Sequence, residues 1–286
     1  MITRNEVMDL EEIISRALAE DIGDGDHTTR STIPVSADGR ARLIIKASGI
    51  LCGMGVAEKV FAGVDPGLAM KPFLTDGDVI VPGDIAFEVC GRISSILQSE
   101  RLVLNFMQRL SGIATATNKL VKLTEGFPAR ILDTRKTTPL LRGLEKYAVR
   151  TGGGFNHRSG LFDMIMIKDN HVDFSGGIVK AIDAARLYLE KNRKELKIEI
   201  EVRDFPELQM VLDHGGVDRI MLDNFSPADL ARAVRMTAGR FETEASGGIT
   251  ENNIRDYAAS GVDFISVGAL THHIQSLDMS LKAIRE

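Results

Sequence analysis

Tryptophan is absent from this chain, and all aromatic residues together make up only 5% of it. That scarcity excludes a core built on large rings. Ile, Leu, Val, Ala and Met must fill it instead, within a hydrophobic content of 44%. An aliphatic core suits parallel β/α architecture, whose strands are covered on both faces and read as short apolar runs. Cysteine is nearly missing too. Cys52 and Cys90 lie far apart and in no metal-ligand spacing, which argues against a disulfide framework or a zinc cluster and predicts a reduced, intracellular protein. No run approaches the roughly 18 apolar residues that a membrane span requires. Residues 1–10 carry acids and no apolar stretch of signal-peptide length. The expectation is a soluble, cytoplasmic protein that binds no membrane.

An excess of positive charge is also lacking, since the formal charge of the 286 residues is -5. The broad basic face that a nucleic-acid track needs is therefore not expected. Against that background residues 133–168 stand out. They hold Arg135-Lys136, Arg142, Lys146, Arg150, Gly152-Gly153-Gly154, His157-Arg158 and Lys168, interrupted only by Asp133, Glu145 and Asp163. A local positive field in an acidic protein points to a small, strongly anionic ligand. The plain alternative is a solvated basic loop.

The length allows one large domain or two moderate ones. The first part is irregular. Val7, Leu10, Ile13, Ile14 and Leu18 predict a helix over 6–20, stopped by Asp21-Ile22-Gly23-Asp24-Gly25-Asp26. Short β segments are predicted at 41–46, 50–54 and 85–89, separated by Asp76-Gly77-Asp78 and Pro82-Gly83-Asp84. Residues 94–125 read as helical, with Gly112 marking a break or a close packing contact between two helices.

Beyond Pro128 the pattern becomes regular. Apolar runs at 129–133, 164–167, 198–202, 219–222, 241–245 and 264–267 alternate with amphipathic segments of helix length. Such alternation implies a parallel sheet with right-handed crossovers, and the later spacing of about 22 residues fits the short βα unit of barrels. The six runs end in Thr134-Arg135-Lys136, Lys168-Asp169-Asn170-His171, Glu201, Asp223-Asn224, Ser246-Gly247-Gly248 and Gly268-Ala269. In a β/α barrel those ends converge on one mouth, where active sites sit.

Each cluster suggests a task. Ser246-Gly247-Gly248-Ile249-Thr250, followed by Glu251-Asn252-Asn253, is a glycine-rich turn that can offer backbone N–H groups to a phosphate, and Val267-Gly268-Ala269-Leu270 supplies a second wall. Simple tight turns would use the same glycines. Glu201 and Asp223 fall at adjacent strand ends, where carboxylates are suited to a divalent cation or to sugar hydroxyls. Glu199 is expected on the opposite side of the sheet from Glu201, by alternation of side chains. Asp223 could instead cap a helix together with Ser226-Pro227. Arg135, Lys136, His157, Arg158 and Lys168 exceed what one phosphate needs, so two anionic ligands are expected together. Lys168 as a Schiff-base lysine is the alternative, although Asp169 and His171 flank it.

Several segments, taken in order, resemble those of the quinolinate phosphoribosyltransferases, the carboxylating nicotinate-nucleotide pyrophosphorylases. They are Ala19-Glu20-Asp21-Ile22-Gly23-Asp24-Gly25-Asp26-His27-Thr28-Thr29, Asp133-Thr134-Arg135-Lys136-Thr137-Thr138-Pro139, Gly152-Gly153-Gly154-Phe155-Asn156-His157-Arg158 and Ile167-Lys168-Asp169-Asn170-His171. Glu201, Leu222-Asp223-Asn224 and Ser246-Gly247-Gly248-Ile249 continue the likeness over nearly the whole chain. The resemblance implies an N-terminal α/β sandwich (residues 1–127) and an incomplete, open β/α barrel (residues 128–274), with a C-terminal helix at 275–286 packing back on the first domain. It implies phosphoribosyl transfer from phosphoribosyl pyrophosphate to quinolinate with decarboxylation, in NAD biosynthesis, with magnesium as cofactor. It also implies a homodimer in which Arg101, within Ser99-Glu100-Arg101-Leu102, reaches the neighbour's pocket.

Carried over residue by residue, Arg101 of the neighbour, Arg135, Lys136, His157, Arg158 and Lys168 would surround the pyridine dicarboxylate, with Thr134 also expected to bind substrate. Glu201, Asp223, Ser246, Gly247, Gly248 and Gly268 would face the phosphoribosyl group, with Glu201 and Asp223 holding its magnesium. Lys168, Glu201 and Asp223 are the expected catalytic residues. Two positions depart from the family pattern. Leu140 stands where the family commonly has glycine, and His214-Gly215-Gly216-Val217 is one residue longer than usual. The competing readings are a superfamily relative acting on the monoacid nicotinate and a non-catalytic phosphosugar-binding barrel.

Overall fold

The computed structural model describes residues 10–284. The expected helical start at 6–9 and the last two positions of the expected C-terminal helix lie outside the described residues. The chain divides into two compact units, one comprising Met1–Asn118, Thr137–Gly153 and Thr271–Glu286, the other Lys119–Lys136 and Gly154–Leu270. The expected division sets residues 1–127, with 275–286 packed back on them, against 128–274, and does not foresee that Thr137–Gly153 belongs to the first unit. Each unit is assembled from separate stretches of chain.

The sequence opens with α1 (Leu10–Ile22), α2 (His27–Thr32), β1 (Asp38–Ile45), β2 (Gly49–Ile50), α3 (Met54–Val64), β3 (Ala69–Pro72), β4 (Val79–Ile80), β5 (Ile85–Arg92) and the long α4 (Ile93–Leu123). It continues with β6 (Arg130–Leu132), α5 (Arg142–Thr151), β7 (Ile165–Ile167), α6 (Asp169–Ser175), α7 (Ile178–Asn192), β8 (Ile198–Val202), α8 (Phe205–His214) and β9 (Arg219–Asp223). The last elements are α9 (Pro227–Thr237), β10 (Glu242–Ser246), α10 (Ile254–Ala259), β11 (Phe264–Ser266), α11 (Ala269–His272) and β12 (Met279–Ala283). Among the described residues no helix is long and apolar enough to cross a membrane.

In the first unit a four-stranded antiparallel sheet runs in the order β12-β1-β5-β3. Leu43, Ile45, Phe87 and Val89 are buried on it, and Phe61 of α3 meets Phe87 edge-on at 5.6 Å. Each such side chain contributes about 1.5–3 kcal/mol by leaving water. Cys52 is buried, Cys90 is exposed, and both are free thiols.

Two expectations fail in this unit. The segment expected as a C-terminal helix is the strand β12, hydrogen-bonded antiparallel to β1 from Ala41↔Ala283 to Ile45↔Met279. The reason lies in the period: Leu277, Met279 and Leu281 recur every second residue and are all buried, which suits a strand with one covered face. Gly112 breaks nothing, since α4 runs through it. Its role is a close approach, because a Cβ there would lie 2.3 Å from the carbonyl oxygen of Gln275. The neighbour is an extended backbone rather than a second helix.

The second unit carries six parallel strands in the order β6-β11-β10-β9-β8-β7. This is a β/α barrel left open, since β6 and β7 do not pair. Phe155 adds a parallel bridge to Leu132 on the free side of β6. Chain signals set the helices: Asp204 accepts the N–H of Glu207 to cap α8, and Ser226 accepts that of Asp229 to cap α9, each with proline in the first turn. Asp223 therefore caps no helix. Ile198, Ile200 and Val202 are buried on the outer face of β8, while Glu199 and Glu201 share the inner one. The expectation that Glu199 lies on the other side of the sheet is wrong, because residues two apart in a strand point the same way.

Candidate active site

Parallel pairing brings all six C-terminal strand ends to one edge of the second unit's sheet. Register then ranks the residues by height: Glu201 pairs with Met221, and Asp223, two residues further along, pairs with Ser246. Lys168 follows β7 directly, and its Nζ lies 2.9 Å from Glu201 Oε2. Asp223 accepts a hydrogen bond from Asn224 Nδ2 at 2.6 Å. Lysine and carboxylate are thus joined across neighbouring strands, as their places at strand ends suggested.

Ser246 leads into Gly247 and Gly248, with φ of 94° and 61°. A Cβ on Gly247 would lie 2.2 Å from Asn224 Oδ1, so that turn needs glycine both for conformation and for space. Asn253 accepts the N–H of Thr250 and donates to the Gly248 carbonyl, which fixes the loop. Gly268 follows β11 on the next strand.

The basic segment supplies the other wall. Thr134 Oγ1 accepts the backbone N–H of Lys136 at 3.0 Å and turns the chain just after β6. Lys136 is exposed. Arg135 is half-buried, and its Nε is buried with no hydrogen-bond partner among the described residues. Arg158 is only 9% exposed. Its side chain donates to the Met164 carbonyl at 3.3 Å, the one hydrogen bond its guanidinium makes among the described residues. Desolvation and then the charge of Arg135 lower its pKa, against the weaker pull of Glu199 and Asp163. Two guanidinium groups near one another and partly withdrawn from water, with few carboxylates between them, form a site that an anion would relieve.

His157 is placed by Asp133, whose buried carboxylate accepts its backbone N–H at 2.9 Å. Its ring is turned inward. Nε2 lies 3.0 Å from Glu199 Oε2 and 3.4 Å from Glu244 Oε2, and Nδ1 accepts the Arg158 backbone N–H at 2.7 Å. Arg219 donates to Glu244 at 2.9 Å and packs its guanidinium 3.9 Å from the Phe264 ring centroid. Desolvation lowers the His157 pKa, and the two carboxylates outweigh it, raising the value to about 9. Desolvation and the neighbouring Glu244 charge raise Glu199. His157, Glu199 and Glu244 are the three-residue group among the described residues whose ligand atoms could surround a metal ion.

The predicted residues of the second unit thus fall along one sheet edge, except that both His157 ring nitrogens face protein groups. Arg101 belongs to the first unit, where it is exposed on α4. Sequence reasoning missed Glu244 and Arg219. The one trace in the sequence is that Glu199 and Glu244 fall within runs read as strands of a covered sheet, which marks them as unusual without saying which way they face.

Comparison with known proteins gives a consistent result. A family model described as quinolinate phosphoribosyl transferase, C-terminal domain, matches residues 113–282, and the corresponding N-terminal domain matches residues 26–111. The chain is 46% identical over 289 aligned residues to the decarboxylating quinolinate phosphoribosyltransferase 1 of Nicotiana glauca, covering 96% of this chain and 82% of that one. It is 44% identical to the chloroplastic carboxylating nicotinate-nucleotide pyrophosphorylase of Arabidopsis thaliana, again over 96% of its length and 82% of the relative's. Among solved structures, the nicotinate-nucleotide pyrophosphorylase from Francisella tularensis superposes with a TM-score of 0.91 at 42% identity, over 96% of each chain.

Proposed function

The chain belongs to the quinolinate phosphoribosyltransferase family, and we propose from this premise that it transfers the phosphoribosyl group of phosphoribosyl pyrophosphate to quinolinate. The carboxylate beside the ring nitrogen leaves as carbon dioxide. The products are nicotinate mononucleotide and pyrophosphate, on the route to NAD. The observation that carries this reading is the Arg135–Arg158 pair, partly buried and short of carboxylate partners. A monoacid would leave one of these cations uncompensated, at a cost of several kcal/mol, on the order of 3.

The work is mainly positioning and electrostatics. Arg135, Lys136 and Arg158 clamp the dicarboxylate so that its nitrogen faces the anomeric carbon. Gly247, Gly248 and Gly268 offer backbone to the ribose phosphate. Lys168, steered by Glu201, meets the pyrophosphate as its bond to the anomeric carbon lengthens in an oxocarbenium-like transition state. Once the ring nitrogen is quaternary, the electron pair left by carbon dioxide is stabilised as an ylide and takes up a proton.

Glu201 and Asp223 fit magnesium, since two carboxylates at neighbouring strand ends are hard oxygen donors and each keeps lone pairs beyond its contact with Lys168 or Asn224. There the ion would neutralise pyrophosphate charge. The reading extends to a homodimer in which the neighbour's Arg101 completes each pocket, and to a reducing compartment such as the cytoplasm, which suits two free thiols.

The test is direct. Purified protein with magnesium and phosphoribosyl pyrophosphate is given quinolinate or nicotinate, and carbon dioxide and mononucleotide are measured. Equal amounts of both products from quinolinate, and neither from nicotinate, are expected. Turnover of nicotinate alone would overturn the assignment, and turnover of neither would favour a phosphosugar-binding protein.

A further inference from the structure

The strands of the second unit enclose charge where a barrel usually encloses aliphatic side chains. His157, Glu199, Glu244 and Arg219 are each less than 9% exposed, and Glu199 and Glu244 are fully buried. Buried carboxylates are kept only when something holds them, because an unpaired one is strongly destabilising. A metal ion is one candidate holder and a hydrogen-bonded proton is another.

The His157 ring decides between them. Its Nδ1 accepts the backbone N–H of Arg158 at 2.7 Å, so Nδ1 must present a lone pair. The two carboxylates favour a charged ring, but an imidazolium has no lone pair on Nδ1 to accept that N–H, so the contact requires a neutral ring whose single proton sits on Nε2. A protonated Nε2 is a donor and cannot ligate a metal. It lies 3.0 Å from Glu199 and 3.4 Å from Glu244, two carboxylates beside the donor, although neither stands on the line of a hydrogen bond. Arg219 supplies the balancing positive charge from the far side of Glu244, at 2.9 Å. A divalent ion added there would also crowd Arg219 and Arg158 with like charge.

We infer that His157 is a positioning residue: Glu199 and Glu244 flank its Nε2 electrostatically from inside the barrel, and its Nδ1 holds the Arg158 amide, so that buried carboxylates set the place of the arginine that receives the dicarboxylate. The arrangement runs from the barrel interior to the mouth through one ring. Glu244, anchored by Arg219, fixes the ring; the ring fixes the first backbone atom of Arg158; and the Arg158 side chain is tied at its other end to the Met164 carbonyl. His157 therefore needs no contact with substrate to affect its binding. The idea rests on the dicarboxylate reading for its kinetic consequence, but its geometry can be tested without any substrate.

The first test is nitrogen NMR of the full-length protein carrying 15N-histidine, with the His157 signals identified by their loss in His157→Gln. A bare Nδ1 and a protonated Nε2 are expected. A protonated Nδ1 with a bare Nε2, or a divalent metal found in a one-to-one ratio by elemental analysis, would make the cluster a metal site and overturn the inference.

The second test is steady-state kinetics on Glu244→Leu and Glu244→Gln, compared at equal folded fraction. Glu244→Leu should raise the KM for quinolinate at least about 10-fold while that for phosphoribosyl pyrophosphate stays within about twofold, and Glu244→Gln, which keeps an acceptor oxygen, should recover most of the loss. Equal changes in both KM values, or none, would reduce the cluster to a structural role. If Glu244→Leu does not fold, Glu199→Gln and the NMR result decide. A wild-type protein inert toward quinolinate would sink the proposed reaction instead, and the NMR result would still stand or fall alone.

Discussion

Arg135 and Arg158 lie close enough for the charge of one to lower the pKa of the other. Removing either should therefore affect two things in opposite directions. The fold loses a repulsion, and the site loses a bidentate partner for a carboxylate. Arg135→Ala and Arg158→Ala are each expected to weaken quinolinate binding by about 2–4 kcal/mol, with phosphoribosyl pyrophosphate binding changed far less. Calorimetry with each ligand separately checks this, and equal losses for both would contradict the division of labour.

Leu140 makes a different prediction at the same scale. It has φ of 68° and is 60% exposed, so it occupies the left-handed region without burial to justify it. The family resemblance leads to an expectation of glycine at this position, and a left-handed φ is what glycine accommodates. Leu140→Gly should stabilise the protein by about 0.5–1 kcal/mol, since relief of the left-handed strain exceeds the entropy glycine adds to the unfolded chain. Thermal unfolding measures the sign. Residues at strand ends, such as Glu201 and Asp223, were legible because their place follows from the strand pattern alone. Glu244 and Arg219 were not, because an acid or arginine inside a strand reads as solvent-facing until closure of the sheet is known.

Among the elements, the six parallel strands were legible within a residue or two because apolar runs and turn signals agree. The short strands β3 and β4 were not, since two to four residues carry no period to read. The β12 segment was misread for a related reason: a family expectation overrode the alternation of Leu277, Met279 and Leu281. At the junction of α3, β5 and α4, Asp65 binds three elements. Its carboxylate accepts from the Gly67 N–H at 2.9 Å, from Ser95 Oγ at 2.8 Å and from Arg92 at 2.8 Å. These hydrogen bonds, led by that of Gly67, hold its pKa below the ordinary 3.8. A carboxyl lower in the folded than in the unfolded chain stabilises above the unfolded pKa, and that contribution is lost as pH falls through the folded one. Asp65→Asn should therefore lower Tm at pH 7 and converge on wild type as pH falls below 3.8 and through the folded-state value. A constant difference across that range would assign its effect to packing.

For the whole molecule, the central question is whether a site uses one chain or two. Arg101 is exposed on α4, so in a single chain it has no burial to justify it. If it completes the neighbour's pocket, Arg101→Ala and Lys168→Ala homodimers are both nearly inactive. After unfolding together and reassociating, a mixed dimer has one site with both lesions and one with neither. Random pairing makes about half the dimers mixed, so activity should return to roughly a quarter of wild type. If Arg101 serves its own chain, every mixed site keeps one lesion and nothing returns.

The pairing of β1 with β12 also sets a schedule for synthesis. Ala41 finds its partner Ala283 about 240 residues later. At roughly 5–20 residues per second, β1 leaves the ribosome about 12–48 s before the strand that covers its edge. Throughout that interval one side of β1 shows unpaired N–H and C=O groups beside the apolar Leu43 and Ile45, the kind of edge that recruits other chains. The nascent protein is thus a natural client for a chaperone that shields strands. A chain truncated after Leu277 would hold that vulnerable state permanently, and should accumulate as aggregate in a translation reaction from which the full chain emerges in solution.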